Sequence, residues 1–232
     1  MRLAWAFLGL VGAVACGWGV EMLSTTIASS PILEASAYLA VWIPLVAALI
    51  LGLRGQRPRE ALTALGLRLR PLDLLWGIGI GCMGRAADAM LRLLAVGSTG
   101  ASHAPTLSSV PASISPAAQT IVLGILAPVI VAPVLEELYF RGFLQRALAA
   151  AFARFGEVAK WSLAVVLCSL AFAAVHSLLL LANPAEALLT GAATLVFALA
   201  AGTTAAATGR LGGAVVGHVV FNGLGVLLTW PA

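Results

Sequence analysis

Charged side chains are scarce in this chain of 232 residues. They make up 9% of the sequence, against about 25% in a typical soluble domain. Hydrophobic residues make up 61%, and the mean hydropathy is +1.05. This composition excludes a soluble globular protein and indicates a polytopic membrane protein. The basic residues form no contiguous arm, so the formal net charge of +4 does not indicate nucleic-acid binding, and we expect no nucleic-acid partner.

Cysteine is also rare, with three residues and no C-x-x-C pair. Cys16, Cys82 and Cys168 all fall in apolar runs, so we expect buried, reduced thiols rather than a disulfide framework. The run before Cys16 has a faint resemblance to a lipoprotein signal. Because the apolar run continues beyond Cys16, we favour a first transmembrane helix at this place.

Apolar runs of membrane-spanning length recur along the chain. They predict an all-α, polytopic membrane helix bundle with about seven transmembrane helices. The predicted spans are 3–23, 37–53, 72–97, 118–150, 161–182, 187–208 and 211–230. No soluble segment or interdomain linker interrupts this pattern, so residues 1–232 are predicted to form a single transmembrane domain.

The loops between these spans differ in charge. The 54–71 loop carries five arginines, and Arg2 and Arg210 lie in other loops on the same predicted side. The loops without lysine or arginine are 24–36, 98–117 and 183–186. Positively charged loops stay in the cytoplasm. The sequence therefore predicts a multi-pass protein of the cell membrane with a cytoplasmic N-terminus and an outside C-terminus.

Three polar patterns interrupt the later apolar spans. Ionisable residues inside a membrane are costly and typically face the bundle interior at a functional site. The patterns are Glu136, Glu137 and Arg141 in the fourth span, Phe172 and His176 in the fifth, and His218 and Asn222 in the last. Carboxylates, imidazoles and a carboxamide supply acid–base chemistry and hydrogen bonds for a carbonyl substrate. The sequence therefore predicts an intramembrane peptidase.

Helical spacing gives the two glutamates different expected roles. Glu137 and Arg141 are four residues apart on one helix face, which predicts an ion pair. Glu136 is rotated from that face by about 100° and remains available as a general base. His218 and Asn222 also share a helix face, from which both can donate hydrogen bonds to an oxyanion.

The position of the glutamates along the chain predicts where they lie in the bundle. Pro128 and Pro133 come just before them and predict a kinked or broken helix. The fourth and fifth spans are expected to form a hairpin that turns at Gly156. Glu136 and His176 are equally far from Gly156 in sequence and should therefore meet at one depth. Because both helices exit toward the Arg-rich side, we expect a water-filled pocket open to the cytoplasmic face.

The patterns E-E-x-x-x-R, F-x-x-x-H and H-x-x-x-N, in this order on successive spans, resemble the CPBP family. This family contains the type II CAAX prenyl proteases and the bacteriocin-immunity (Abi) proteins. The resemblance covers about residues 120–230 and implies a glutamate-dependent intramembrane endopeptidase, often named a metalloprotease. It also implies a peptide or protein substrate in the membrane, including lipid-modified ones. The exit of both helices toward the Arg-rich side predicts cleavage near the cytoplasmic membrane face.

The resemblance further implies a role for each polar residue. Glu136 with His176 would activate a water molecule, and His218 with Asn222 would form the oxyanion hole. The residues that would support the site are Glu137, Arg141 and Phe172.

Three other functions remain to be weighed. A non-enzymatic immunity or partner protein would keep the same polar cluster for stability or binding. A zinc-dependent form of the peptidase would use His176 and His218 as ligands. Because H-E-x-x-H is absent and His-x-x-x-Asn is not a usual zinc pair, we favour no metal and no other cofactor. A transporter is disfavoured because no inverted repeat is visible.

The third span has two further features. Arg85, Asp88 and Arg92 form a polar stripe on one helix face, which predicts either ion pairing within the membrane or a wall that contacts substrate. Gly77 and Gly81 form a G-x-x-x-G pattern, which predicts close packing against another helix.

Overall fold

The computed structural model describes residues 2–24, 26, 30–96, 116–181 and 183–229. Within these ranges the chain is helical and contains no β-strand. Most of the loop predicted at 98–117 lies outside the described residues, as does the end of the seventh predicted span after 229. The predicted all-α fold class is confirmed.

The helices are numbered in chain order. They are α1 (Arg2–Ser24), α2 (Pro31–Gly52), α3 (Pro58–Leu65), α4 (Pro71–Val96), α5 (Thr120–Ala151), α6 (Glu157–Leu178), α7 (Pro184–Thr208) and α8 (Gly212–Thr229). Six of them are long and apolar enough to cross a membrane, and α8 adds a shorter apolar stretch at Gly212–Leu228. The predicted polytopic bundle of about seven spans is therefore confirmed.

Several helix boundaries differ from the prediction, among them the starts of the fifth span at Glu157 rather than at 161 and of the sixth at Pro184 rather than at 187. The second span begins at Pro31 rather than at 37, because the hydroxyl of Ser30 accepts a 3.2 Å hydrogen bond from the Leu33 amide and caps the helix. The fifth span ends at Leu178 rather than at 182. This earlier end places His176 in the last turn of α6.

The Arg-rich loop contains a short helix, α3, that the sequence analysis did not predict. Its start is capped where the Glu60 carboxylate accepts a 3.3 Å hydrogen bond from the Arg57 amide. Its end is set by Gly66, whose φ of +78° is a left-handed conformation suited to glycine. The helix buries Leu65 against Gly142 of α5, so it closes one end of the bundle.

The helices α4 and α8 pack closely through glycines. A Cβ atom at Gly77 or Gly81 would collide with Val216, Gly217 or Val220 of α8. The predicted use of the G-x-x-x-G pattern for helix packing is confirmed. This contact fixes α8, which carries His218 and Asn222, against α4.

The α5 segment is continuous, so the predicted break at its prolines is wrong, whereas the predicted kink stays a prediction. Its first part, Thr120–Val131, is instead wound as a π-helix, with i to i−5 hydrogen bonds such as that from the Ala132 amide to the Ala127 carbonyl. Wider winding tolerates a proline because the ring lies farther from the preceding turn's carbonyl. The helix thus stays intact up to the glutamate pair.

The turn after α5 contains Gly156, whose φ is +83°, and α6 begins at the next residue. The hairpin predicted at Gly156 is confirmed. The three cysteines are free thiols, as expected. Only Cys168 is buried, however, because Cys16 and Cys82 lie on helix faces that point away from the bundle.

Candidate active site

Glu136 lies between the two histidines of the predicted site. Its Oε2 atom is 3.7 Å from His176 Nε2 and 3.8 Å from His218 Nε2. These separations are too long for direct hydrogen bonds, and each can be spanned through a water molecule. The expected proximity of Glu136 and His176 across the hairpin is confirmed.

Glu137 is buried and bound on two sides. Its Oε1 atom accepts a 2.7 Å hydrogen bond from Arg141 Nη1 and lies 2.9 Å from His218 Nδ1. Glu137 and Arg141 are 0% and 1% exposed, so the predicted ion pair is confirmed and is fully buried. The contact with His218 was not predicted, because it joins residues 81 positions apart.

Hydrogen bonding fixes the protonation of one nitrogen in each imidazole. His176 Nδ1 is 2.9 Å from the Phe172 carbonyl oxygen, which only accepts, so this nitrogen donates. His218 Nδ1 likewise donates to the Glu137 carboxylate. In both rings the remaining nitrogen, Nε2, faces Glu136. The glutamate therefore has two orientable imidazole groups around one oxygen.

Phe172 holds these groups together by ring contacts. Its ring centroid is 4.3 Å from that of His176 and 5.6 Å from that of His218. The Arg141 guanidinium lies 4.4 Å from the same ring on a third side. Phe172 is fully buried among these groups, and its supporting role stays a prediction.

Asn222 is bound to α5 as well as to the site. Its Nδ2 group donates a 2.7 Å hydrogen bond to the carbonyl oxygen of Pro128. In π winding that carbonyl would bond to the amide of Pro133, which has no hydrogen. The Tyr38 hydroxyl similarly donates to the Leu123 carbonyl, 3.1 Å away, which Pro128 leaves without an amide donor. The two prolines thus create attachment points for α2 and α8.

One cavity of about 410 Å³ contains the four residues predicted to be catalytic. Its lining includes Glu136, His176, His218 and Asn222. A second cavity of about 310 Å³ reaches Glu136 from the side of α2, where Tyr38 lines both cavities. Tyr38 was missed because a single tyrosine near a span end is typical of an interfacial anchor.

The larger cavity extends toward the end of the bundle opposite the Arg-rich loops. Leu179 and Leu180, which follow α6, and Glu186, in the first turn of α7, line it. Toward the Arg-rich end, α5 buries Tyr139 and Phe140 in the core, which closes that route. Opening on the Arg-rich side, which the sequence analysis predicted, is therefore wrong. The direction of α5 and α6 did not predict where the cavity opens. His176 lies in the last turn of α6, at the end of the helix that is far from the turn at Gly156.

The polar stripe of α4 forms the wall of this cavity and is ion-paired. Asp88 accepts hydrogen bonds of 2.8 Å from Arg85 and 2.9 Å from Arg92. Arg92 also donates two 2.8 Å bonds to Glu186, which joins α4 to α7. The predicted ion pairing is confirmed, and the stripe lines the cavity, whereas its contact with substrate stays a prediction. Glu186 was missed because it lies at the very start of a span.

Among the described residues, no group of three His, Cys, Asp or Glu side chains is arranged to hold a metal ion. His218 Nδ1 and Asn222 Nδ2 already donate to Glu137 and to the Pro128 carbonyl. The Nε2 atoms of His176 and His218, which the zinc alternative would use, stay open because both Nδ1 atoms bond elsewhere. The absence of a metal therefore stays a prediction, and no step is derived through one.

Comparison with known proteins identifies the segment that carries the site. Residues 118–224 match the family model described as Rce1-like, type II CAAX prenyl endopeptidase. Over these residues the chain is similar to the Rce1-like family. The match spans just under half of the chain and contains all seven predicted site residues.

The Rce1-like match confirms the resemblance to CAAX-type proteases of the CPBP family. It supports a protease, that is a peptide hydrolase, in a multi-pass membrane protein. No curated protein and no solved structure matches the chain.

Proposed function

We propose that this chain is an intramembrane endopeptidase in which Glu136 activates the water that hydrolyses a peptide bond. The observation that carries the proposal is the Oε2 atom of Glu136, which is buried and has no hydrogen-bond partner among the described residues. It lies in a cavity and faces the Nε2 atoms of His176 and His218. A buried acceptor in such a place requires a donor, and a water molecule supplies one.

The reaction begins with the transfer of a proton from water to Glu136 Oε2. The water oxygen forms a bond to the carbonyl carbon of the substrate, whose oxygen becomes an oxyanion. Glu136 then gives its proton to the departing amine as the C–N bond breaks. When His176 is neutral, its Nε2 atom accepts a hydrogen bond from the second O–H of the water. This bond orients the lone pair of the water oxygen toward the carbonyl carbon of the substrate.

His218 is proposed to donate to the oxyanion. Glu136, Glu137 and Arg141 together carry one excess negative charge, so a protonated His218 makes the buried cluster neutral. In that form Nδ1 donates to Glu137 and Nε2 has a hydrogen for the substrate. Asn222 carries two hydrogens on Nδ2, of which the Pro128 carbonyl takes one and the oxyanion takes the other.

Glu137, Arg141 and Phe172 hold the reacting groups in place. Glu137 fixes the ring of His218, and Arg141 fixes Glu137. Phe172 supplies both a ring surface for His176 and the carbonyl that binds its Nδ1. Fixed donors and acceptors act more strongly in a site of this kind because they do not reorganise during the reaction.

The substrate is proposed to be a peptide or protein in the membrane, because the lining of both cavities is mostly apolar. Lipid-modified chains fit the same description and agree with the family name. The reaction is proposed to need no metal. The N-terminus is proposed to be cytoplasmic because the arginine-rich loops lie at one end. In that orientation the larger cavity opens away from the cytoplasm, so cleavage near the cytoplasmic face is not part of this proposal.

The direct test is proteolysis of a quenched fluorescent peptide library by the full-length protein in detergent. Wild type should release fluorescence, and the Glu136→Ala variant should not. Glu34→Ala is the matched control. The Glu34 carboxylate lines the second cavity beside Glu136, but it is not the carboxylate that faces the Nε2 atoms of His176 and His218. It should keep most of the activity.

Two results would count against the proposal. Cleavage by Glu136→Ala at the wild-type rate would exclude Glu136 as the base. Folded wild type that binds peptides and cleaves none of them would favour the non-enzymatic partner or immunity protein.

A further inference from the structure

A third cavity lies at the Arg-rich end of the bundle, away from the candidate active site. Its volume is about 270 Å³, close to the lower limit of about 300 Å³ for small-molecule pockets. Four elements enclose it: the start of α1, the end of α2, α3 and the last part of α5. A cavity of this size holds a headgroup rather than a whole lipid.

Two arginines line this cavity, Arg2 of α1 and Arg146 of α5. Among the described residues that line it there is no aspartate, glutamate or histidine. The remaining lining is apolar, with Leu3, Leu65 and Phe143 among its members. Two guanidinium groups without a carboxylate give the cavity a net positive charge, which favours an anion.

Arg146 is held in place by a hydrogen bond from one of its guanidinium nitrogens. Its Nη2 atom donates a 2.9 Å hydrogen bond to the Gly209 carbonyl, and it also packs against Gly66, where no side chain would fit. Its Nε atom is buried and has no hydrogen-bond partner among the described residues. A buried donor without an acceptor is costly, so an acceptor from a ligand would satisfy it.

From these observations we propose that the cavity binds a phosphate group, as carried by the headgroup of an anionic phospholipid or by free phosphate. Phosphate oxygens match the planar donor fork of arginine, and the side chains of Arg2 and Arg146 line the same cavity. The apolar lining and the position at the end of the spans α1 and α5 suit a group that carries acyl chains.

The test measures ligand binding to the full-length protein in neutral detergent by native mass spectrometry. The probes are phosphatidylglycerol and diacylglycerol, which share acyl chains and differ in the phosphate. Inorganic phosphate is the third probe, with chloride at equal ionic strength as its control and a shift in melting temperature as its readout. The variants are Arg2→Gln, Arg146→Gln and both together.

Arg54→Gln is the matched control, because Arg54 is exposed at the same end of the bundle and does not line the cavity. We expect phosphatidylglycerol to bind and diacylglycerol not to bind. Each cavity arginine replaced should weaken phosphatidylglycerol binding by about fivefold, the effect of roughly 1 kcal/mol per basic residue, while Arg54→Gln leaves it unchanged. Arg2→Gln carries the test if Arg146→Gln fails to fold, since Arg2 is exposed.

The probes distinguish a lipid headgroup from free phosphate as the ligand. Binding of phosphatidylglycerol without a melting-temperature shift by inorganic phosphate assigns the cavity to a lipid headgroup, and a shift by inorganic phosphate that Arg2→Gln removes assigns it to the free anion. Equal binding of phosphatidylglycerol and diacylglycerol would overturn the proposal. So would equal losses in Arg2→Gln and Arg54→Gln, which would indicate a diffuse surface charge effect.

Discussion

Asn222 donates a 2.7 Å hydrogen bond to the carbonyl oxygen of Pro128. This carbonyl is available because Pro133, five residues later in a π-wound helix, has no amide hydrogen to give it. The bond joins the helix that carries the oxyanion donors to the helix that carries the glutamates. The two prolines that precede the glutamate pair therefore serve to position Asn222 and Tyr38 rather than to break the helix.

Replacing Pro133 with alanine should lower activity through Asn222. The new amide hydrogen competes for the Pro128 carbonyl, so Asn222 loses its fixed orientation. Loss of one oxyanion donor lowers kcat by about 10²- to 10³-fold. We expect a decrease of this size for Asn222→Ala, and a decrease no larger than this for Pro133→Ala. Steady-state kinetics of both single variants and of the double variant measure this coupling.

The control for that prediction is Pro128→Ala, which restores a donor to the Leu123 carbonyl and releases Tyr38 instead. It should leave the contribution of Asn222 intact. If Pro133→Ala and Asn222→Ala reduce kcat by fully additive factors, the proline does not act through Asn222.

Breaking the Glu137–Arg141 pair should destabilise the fold. Both side chains are buried, so Glu137→Ala or Arg141→Ala leaves an unpaired charge and should lower the free energy of unfolding by about 3–5 kcal/mol. Folded yield and activity should fall together. Unfolding of purified protein in detergent, followed by circular dichroism, gives the comparison.

The matched control is the Glu157–Lys160 pair at the start of α6, in which the Glu157 side chain is 80% exposed. Glu157→Ala should cost less than about 1 kcal/mol. Wild-type stability in both Glu137→Ala and Arg141→Ala would show that the buried pair contributes nothing.

Chelation should leave activity intact. The described residues form no group suited to hold a metal ion, and the proposed steps use only Glu136, the histidines and Asn222. The measurement is elemental analysis of active protein before and after dialysis against a chelator. Stoichiometric zinc, whose removal abolishes activity and whose return restores it, would assign His176 and His218 as ligands instead.

The sequence predicted the relationships that depend on helical spacing or on hairpin symmetry. The pair of Glu137 and Arg141 follows from their separation by one helical turn. The contact of Glu136 with His176 follows from their equal distances to Gly156. Both relations hold although a π-helical segment, Leu138–Leu144, lies between Glu136 and the turn at Gly156.

Relationships set by helix tilt and packing could not be predicted. The bond from His218 to Glu137 joins α8 to α5 and depends on how α8 lies against Gly77 and Gly81 of α4. The direction in which the cavity opens depends on the same tilts. Chain direction alone predicted that the cavity opens at the wrong end of the bundle. The direction of a helix does not show where side chains of neighbouring helices fill the interior.

The most direct test of the account measures peptide binding and peptide hydrolysis by Glu136→Gln on one substrate. The amide has nearly the shape of the carboxylate but cannot take a proton from water. The account predicts a dissociation constant close to that of wild type, and a kcat lower by at least about 10²- to 10⁴-fold, the usual contribution of a general base. A variant that binds and hydrolyses the peptide at nearly the wild-type rate would contradict the central claim that Glu136 activates the water.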